Sequence, residues 1–114
     1  MTDQTTAIQQ AQGVSARVWF IRPELDLILR VYGRLVAEGE CRDYAIGAFG
    51  DHAVFCMHKR ASEAPSWTVE KRPELARKQG AFAVLNSTGQ VLKRGHELAQ
   101  VLRVFDRKRF NVIE

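Results

Sequence analysis

The chain has 114 residues, a formal net charge of +4 and a hydrophobic fraction of 46%. At this length we expect one domain, because a second hydrophobic core would not fit. No apolar run approaches the ~20 residues that a membrane-spanning helix needs. Residues 1–16 lack the basic and apolar regions of a secretory signal. These features together predict a cytoplasmic protein.

The beginning of the chain predicts an N-terminal arm. Residues 1–16 are rich in Gln, Thr and Ala, carry Asp3 as their only charge and show no sustained period. Such a segment has too little apolar surface to offset the entropy of ordering it, so we expect residues 1–16 to be disordered. Residues 17–114 are expected to form a single α+β domain. Its first element is predicted to be a short β-rich run over residues 17–21.

The clearest helix is predicted to begin at Pro23 and to end at Gly39. Proline suits the first helical position, and Glu24 complements the positive end of the helix dipole. Apolar residues recur at three- and four-residue steps and predict the buried face, which comprises Leu25, Ile28, Leu29, Tyr32, Leu35 and Val36. Gly33 lies inside this helix and indicates a point of close packing against a neighbour.

Five strands are predicted after the helix, over residues 42–49, 53–59, 66–71, 81–86 and 90–94. Residues 50–51 and 87–89 predict tight hairpins, and residues 72–80 predict a single helical turn. A last helix is expected to start near His96. Its apolar stripe comprises Leu98, Val101, Leu102 and Phe105.

The element order β-α-β-β-β-β-β-α predicts an α+β fold. Short links between consecutive strands favour antiparallel pairing. We therefore expect a largely antiparallel sheet of five to six strands with two helices on one face. The residues expected to be largely buried between the helices and the sheet are Leu25, Ile28, Leu29, Tyr32, Leu98, Val101, Leu102 and Phe105.

The cysteines and histidines give little support for a metal site. Cys41 and Cys56 lie in apolar segments without an activating motif, which is typical of buried, inert thiols. Cys56 and His58 are two residues apart, about 7 Å along a strand, and a metal ion could bind both from one face. The spacings of known zinc sites are absent. We expect neither a metal nor another cofactor.

No recognised catalytic motif is present. The serines lie outside any Gly-x-Ser-x-Gly elbow, and the glycines are too scattered for a phosphate loop or a dinucleotide fingerprint. His96 and Glu97 are adjacent at a helix start, where their side chains point in different directions. We therefore expect the protein not to be an enzyme.

Positive charge is concentrated in the second half of the chain. Residues 71–109 carry 10 Lys and Arg against 3 Asp and Glu, a net of +7, whereas residues 17–70 have a net of −1. Such clustering is typical of surfaces for nucleic acid or another polyanion. The candidate polyanion-binding residues are Lys71, Arg72, Arg77, Lys78, Lys93, Arg94, Arg103 and Arg107. The alternative is a merely solvated basic surface, because adjacent strand residues face opposite ways.

Four separate segments carry a family resemblance: RDYA at 42–45, KRASE at 59–63, LARKQG at 75–80 and LKRGHELAQVLRV at 92–104. In this order they resemble domain of unknown function family 2794, a small family of alphaproteobacterial proteins. The resemblance spans roughly residues 18–105. It implies a bacterial, cytoplasmic protein and assigns no catalytic or binding residue.

Two functions remain open from the sequence. The first is a small non-enzymatic module that binds nucleic acid, weakly and non-specifically, or has a regulatory role. The second is a protein-interaction module that acts as a homo-oligomer, because the edge strands of a small sheet must be covered or charged. Exposed basic and aromatic residues on the sheet would favour the first. An apolar patch or a bare edge strand would favour the second.

Overall fold

A computed structural model describes residues 16–106 of the chain. In chain order its helices and strands are α1 (Arg22–Ala37), β1 (Asp43–Ala48), β2 (Ala53–His58), β3 (Trp67–Lys71), β4 (Phe82–Asn86), β5 (Val91–Gly95) and α2 (Leu98–Val101). A 3-10 turn at Pro73–Leu75 lies between β3 and β4, where a single helical turn is predicted. The expected disordered arm lies outside the described residues except for Ala16. The end of the predicted domain, residues 107–114, also lies outside them.

The five strands form one antiparallel sheet in the order β1-β2-β3-β4-β5. Each strand therefore pairs with the strand that precedes it in sequence, which leaves β1 and β5 as the two edges. A central row is set by the register, in which Phe55 lies opposite Val69 and Val69 lies opposite Val84. The predicted α+β class is confirmed.

The strand expected over residues 17–21 is absent from the structure. This segment makes one backbone hydrogen bond to the end of β1, from the Val18 N–H to the Phe49 carbonyl at 2.7 Å. The chain enters α1 at Arg22, so too few residues remain to run along β1 and build a ladder. In the described part of the chain the sheet consequently has five strands and not six.

Both helices pack on one face of the sheet and enclose a single core. On β2 the side chains of Ala53, Phe55 and Met57 are buried, in alternation with half-buried residues that face the other way. The ring of Tyr32 on α1 contacts Phe55, and the ring of Phe105 beyond α2 contacts Trp67. The expected stripe around α2 is confirmed, because Leu98, Val101, Leu102 and Phe105 are all buried.

The buried face of α1 is narrower than its apolar stripe. Ile28, Val31 and Leu35 are buried, whereas Leu29 is 39% and Val36 is 42% exposed. The prediction that Leu29 lies in the core is therefore wrong, and Leu25 and Tyr32 are only partly buried. The sheet covers one side of this apolar stripe, and the other side extends past the sheet and is exposed to solvent; we call this exposed side the overhang. The ring centroids of Tyr32 and Tyr44 are 5.1 Å apart, so the overhang is beside β1.

An ion pair fixes the start of α1 on the sheet. The Glu24 carboxylate accepts a hydrogen bond from the Ile21 backbone N–H at 2.8 Å, which caps the helix. The same oxygen accepts the Lys71 ammonium at 2.8 Å, and Lys71 also donates to the Trp19 carbonyl at 2.9 Å. Both side chains of the pair are only 15% exposed. Helix α1 is thereby joined to the end of the central strand β3.

The position at which close packing requires a glycine is Gly80, not Gly33 as the sequence indicates. A Cβ on Gly33 would meet nothing within 4 Å, so the predicted close packing is wrong. Gly80 has a φ of +113°, and a Cβ there would lie 2.2 Å from the backbone carbon of Gly95. Only glycine permits this approach. It brings the loop after the 3-10 turn directly against the end of β5.

The packing predicts that replacing two leucines by alanine will lower stability by different amounts. Leu102→Ala should lower the free energy of unfolding by about 2–5 kcal/mol, because a buried side chain is replaced by a cavity. Leu29→Ala should cost at most about 1 kcal/mol in dilute solution, because the side chain already meets solvent. Urea unfolding of both variants measures the difference. Equal losses would show that the overhang of α1 is wrongly placed.

Candidate functional site

The eight candidate polyanion-binding residues do not form one surface. Lys71 bonds Glu24 beneath α1, and Arg72 and Arg94 bond carboxylates on the sheet face that the helices leave uncovered. The cations that remain exposed are Arg77, Lys78, Lys93 and Arg103. Arg107 lies outside the described residues. Polyanion binding by this set stays a prediction, and three of its seven described cations are held in ion pairs within the fold.

A buried carboxylate holds the two arginines of the uncovered face. Glu70 is only 8% exposed and lies opposite Ala83, which in turn lies opposite Arg94. Because Ala83 is small, the side chains of Glu70 and Arg94 can meet above it, at 3.3 Å. The other carboxylate oxygen forms an ion pair with the Arg72 Nε at 3.2 Å. Ion pairing reduces the charge that either arginine can offer to a ligand.

The network continues to the first hairpin. Arg72 also reaches the Asp51 carboxylate at 3.3 Å, and the His52 Nδ1 lies 2.6 Å from the other Asp51 oxygen. The hydrogen bond with His52, aided by the charges of His52 and Arg72, holds the pKa of Asp51 below its ordinary value. The charges of Arg72 and Arg94 balance those of Asp51 and Glu70. These four side chains therefore add no net charge to the uncovered face.

The sulfur and imidazole groups do not converge. Cys41 is 1% exposed, as predicted for a buried thiol. On the uncovered face, the Cys56 sulfur lies 3.9 Å from the Thr68 hydroxyl, and the His58 Nδ1 lies 3.0 Å from the Glu63 carbonyl. Within residues 16–106, no three His, Cys, Asp or Glu side chains are grouped to hold a metal ion. A metal-free protein stays a prediction for the whole chain.

A further group of cations escaped the sequence reasoning. An open cavity of about 300 Å³ lies at the end of the β1–β2 hairpin that is opposite its turn. Its lining includes Arg42, Lys59 and Arg60, together with Asp43. The net charge of residues 17–70 does not reveal this group, because that segment carries more carboxylates than cations. The hairpin pairing brings together residues that are separated in sequence.

The other feature that the sequence reasoning missed is an exposed apolar surface along β1. It comprises Leu29, Tyr32 and Val36 of α1 with Tyr44 and Ile46 of β1, and we call it the β1 apolar surface. Tyr44 and Ile46 are 48% and 47% exposed although they lie opposite the buried Met57 and Phe55. The alternating apolar residues of β1 were visible in the sequence, but its edge position was not.

The two edges of the sheet differ in chemistry. The β5 edge exposes Val91 and Leu92, but Lys93 and Arg94 follow directly, and its pairing with β4 has an irregular register near Leu85. Charged residues and bulges discourage the addition of another strand. Strand β1, DYAIGA, has no lysine, arginine or proline and only one charge, at its first residue. Its edge therefore lacks these protections.

The backbone of β1 presents bonding groups outward. The Phe49 N–H donates to the His52 carbonyl at 2.8 Å. Since bonded and non-bonded pairs alternate along an antiparallel ladder, the N–H and C=O groups of Tyr44 and Ile46 point away from β2. The Arg17 side chain donates to the Ala48 carbonyl at 2.9 Å, at the far end of the edge. As far as residues 16–106 are concerned, the central part of the edge is thus left for another strand.

The Glu70 network leads to a test of stability. Glu70→Gln should lower the free energy of unfolding by about 1–3 kcal/mol, because two partly buried arginines lose a charged acceptor. Glu74→Gln is the matched control, since Glu74 is exposed, and it should change stability by at most about 0.5 kcal/mol. Thermal and urea unfolding measure both. Equal effects would contradict a structural role for the Glu70 carboxylate.

Comparison with known proteins gives a family but no function. Among residues 16–106, no helix is both long and apolar enough to cross a bilayer. Neither the curated proteins nor the solved structures contain a match. The sequence model of a family described as protein of unknown function (DUF2794) matches residues 18–102, which is more than half of the chain. The chain therefore belongs to the DUF2794 family.

Proposed function

We propose that this protein is a non-enzymatic interaction module that forms a homodimer by pairing the β1 strands of two copies. The observation that carries the proposal is the unprotected β1 edge, on which Tyr44 and Ile46 are about half exposed. Exposed edge strands that carry few charges and no proline are templates for pairing with another strand. The β1 apolar surface lies directly beside this edge.

The strand can pair with a copy of itself in a defined register. If a two-fold axis passes through Ala45, Tyr44 of one copy lies opposite Ile46 of the other. The outward N–H and C=O groups of these two residues then bond each other. Both residues lie on the helix-covered side of the sheet. This register therefore keeps the helices of both copies on one side of a continuous sheet.

The side chains favour a second copy over a charged partner. None of the five members of the β1 apolar surface is charged. In the proposed register, Tyr44 meets Ile46 across the interface, and Leu29 and Val36 extend the contact along α1. Burying apolar surface contributes about 25 cal/mol per Å². The apolar residues that α1 leaves outside the core are thus covered in the dimer.

A single substitution should separate the copies. In Ile46→Lys, two ammonium groups would lie close to the two-fold axis, so the variant should be a monomer at concentrations where the natural chain is a dimer. Leu92→Lys makes the same change on the β5 edge and should leave the dimer intact. Analytical ultracentrifugation measures the mass, and circular dichroism checks that both variants fold. A monomeric natural chain at high micromolar concentration would contradict the proposal.

A second candidate, weak polyanion binding, is favoured by the chemistry of the opposite edge. Arg77, Lys78 and Lys93 are exposed, and none of the ion pairs among residues 16–106 uses them. The close approach of Gly80 to Gly95 places the loop that carries Arg77 and Lys78 beside β5. These cations could contact successive phosphates without reading any base.

This second candidate is tested by salt dependence. If three cations meet phosphates of single-stranded nucleic acid, log K should fall with log salt at a slope of about −2. Replacing Arg77, Lys78 and Lys93 by Ala should weaken binding of all sequences alike and flatten the slope. A variant with Arg42, Lys59 and Arg60 replaced by Ala removes the same charge elsewhere. Fluorescence anisotropy in which both variants bind equally would exclude the β5 edge as the contact surface.

A further inference from the structure

The uncovered face of the sheet carries apolar side chains where a solvated face would carry polar ones. An antiparallel sheet that faces water on one side alternates between apolar residues inside and polar residues outside. Strand β2, AVFCMH, is instead apolar at its first five positions. Its outward side chains, Val54 and Cys56, are only half-buried, as are their neighbours Thr68 and Leu85 on β3 and β4. Such a pattern is typical of a sheet with a covering layer on both faces.

The apolar surface of this face extends to both edges of the sheet. A Cβ on Gly47 would lie 2.8 Å from the Phe49 ring and 3.1 Å from the Val54 side chain, so the ring lies over Gly47 on the uncovered face. Phe49 is 46% exposed. At the other edge Val91, which lies opposite Leu85, is 45% exposed. Contiguous exposed apolar surface of this kind marks an interaction site.

The charges on the uncovered face do not favour a charged partner. The four ion-paired side chains around Glu70 balance one another. Asp43 is exposed and lies beside His58 at one end of the face, where it stays at the rim of any contact. A broad, apolar and electrically balanced face is complementary to a copy of itself.

The area of the face decides which copy can cover it. With strands about 4.8 Å apart and a rise of about 3.3 Å per residue, five strands of five or six residues present roughly 400 Å². Two single copies packed face to face would bury only about 800 Å², which is the size of a crystal contact. Two ten-stranded sheets would bury about 1,600 Å², the size of a stable, specific interface.

We propose that two β1-paired homodimers pack their uncovered faces together and form a tetramer. This inference rests on the proposed function, because only the β1 pairing joins two faces into one continuous surface. The two sheets lie about 10 Å apart with their strands within about 30° of each other. Cys56 and Thr68 lie close to the centre of the contact, and the helices of all four copies lie outside. Such a dimer of dimers has closed symmetry.

One substitution on each surface separates the two contacts. The natural chain should be a tetramer at about 100 μM, because interfaces of this size have micromolar or tighter dissociation constants. Thr68→Lys should halve the mass and leave the dimer, because ammonium groups would be buried between the sheets. Ile46→Lys should give the monomer. Gln100→Lys places the same charge on the helix-covered side and should leave the tetramer intact. Sedimentation equilibrium measures the masses, and circular dichroism checks folding.

The reactivity of Cys56 tests the same contact without a substitution. The Cys56 thiol lies on the uncovered face, whereas Cys41 is buried in the core. Reaction of Cys56 with a maleimide should therefore slow by at least about fivefold between concentrations at which the dimer and the tetramer dominate. A rate that stays the same while the mass doubles would overturn the proposal. If that rate is slow throughout, a segment of the same copy, such as residues 1–15, covers the face.

The masses distinguish failure of this inference from failure of the proposed function. A natural chain that stays a dimer at about 100 μM, and that Ile46→Lys converts to a monomer, would overturn the tetramer and leave the β1 pairing in place. A dimer that is dissociated by Thr68→Lys and not by Ile46→Lys would overturn both. A tetramer that persists in a folded Thr68→Lys variant would exclude the uncovered face as its interface.

Discussion

The fold depends on one constraint, which is that every strand pairs with its neighbour in sequence. All links between strands are therefore short, and only the segments before β1 and after β5 are free to supply long covering elements. Both of these segments pack on the same face. Within residues 16–106 the core lies on that face, the opposite face is stabilised by ion pairs around Glu70, and β1 and β5 are edges that no further strand covers.

The position of α1 decides what the β1 edge offers. The pairing of Glu24 with Lys71 fixes the helix start at the end of β3. From there the helix buries one side of its apolar stripe and leaves Leu29 and Val36 exposed, and Tyr32 of the same stripe contacts Tyr44. These exposed residues extend the apolar character of an edge strand that has no lysine or proline. The features that hold the monomer together are thus also the ones that shape the proposed interface.

The sequence predicts what depends on local periodicity and turn chemistry. The five strands of the sheet, the long helix and the buried stripe around Leu98 follow from spacing alone, and so does the α+β class. The sequence does not predict what depends on register. Lys71 is paired by Glu24, which lies 47 residues away in sequence and close to it only in the folded chain. Arg72 is paired by Glu70, which shares its face of the sheet, and by Asp51 of the first hairpin. The exposure of Ile46 likewise depends on β1 being an edge.

The central claim is that β1 pairs with a second copy of itself, and amide hydrogen exchange across β1 tests it most directly. The amides of Ala45 and Gly47 face β2 and should be protected at every protein concentration. The amides of Tyr44 and Ile46 face outward, so their protection should rise with protein concentration as the dimer forms. The account is contradicted if Tyr44 and Ile46 exchange as freely at high concentration as in dilute solution while Ala45 and Gly47 stay protected.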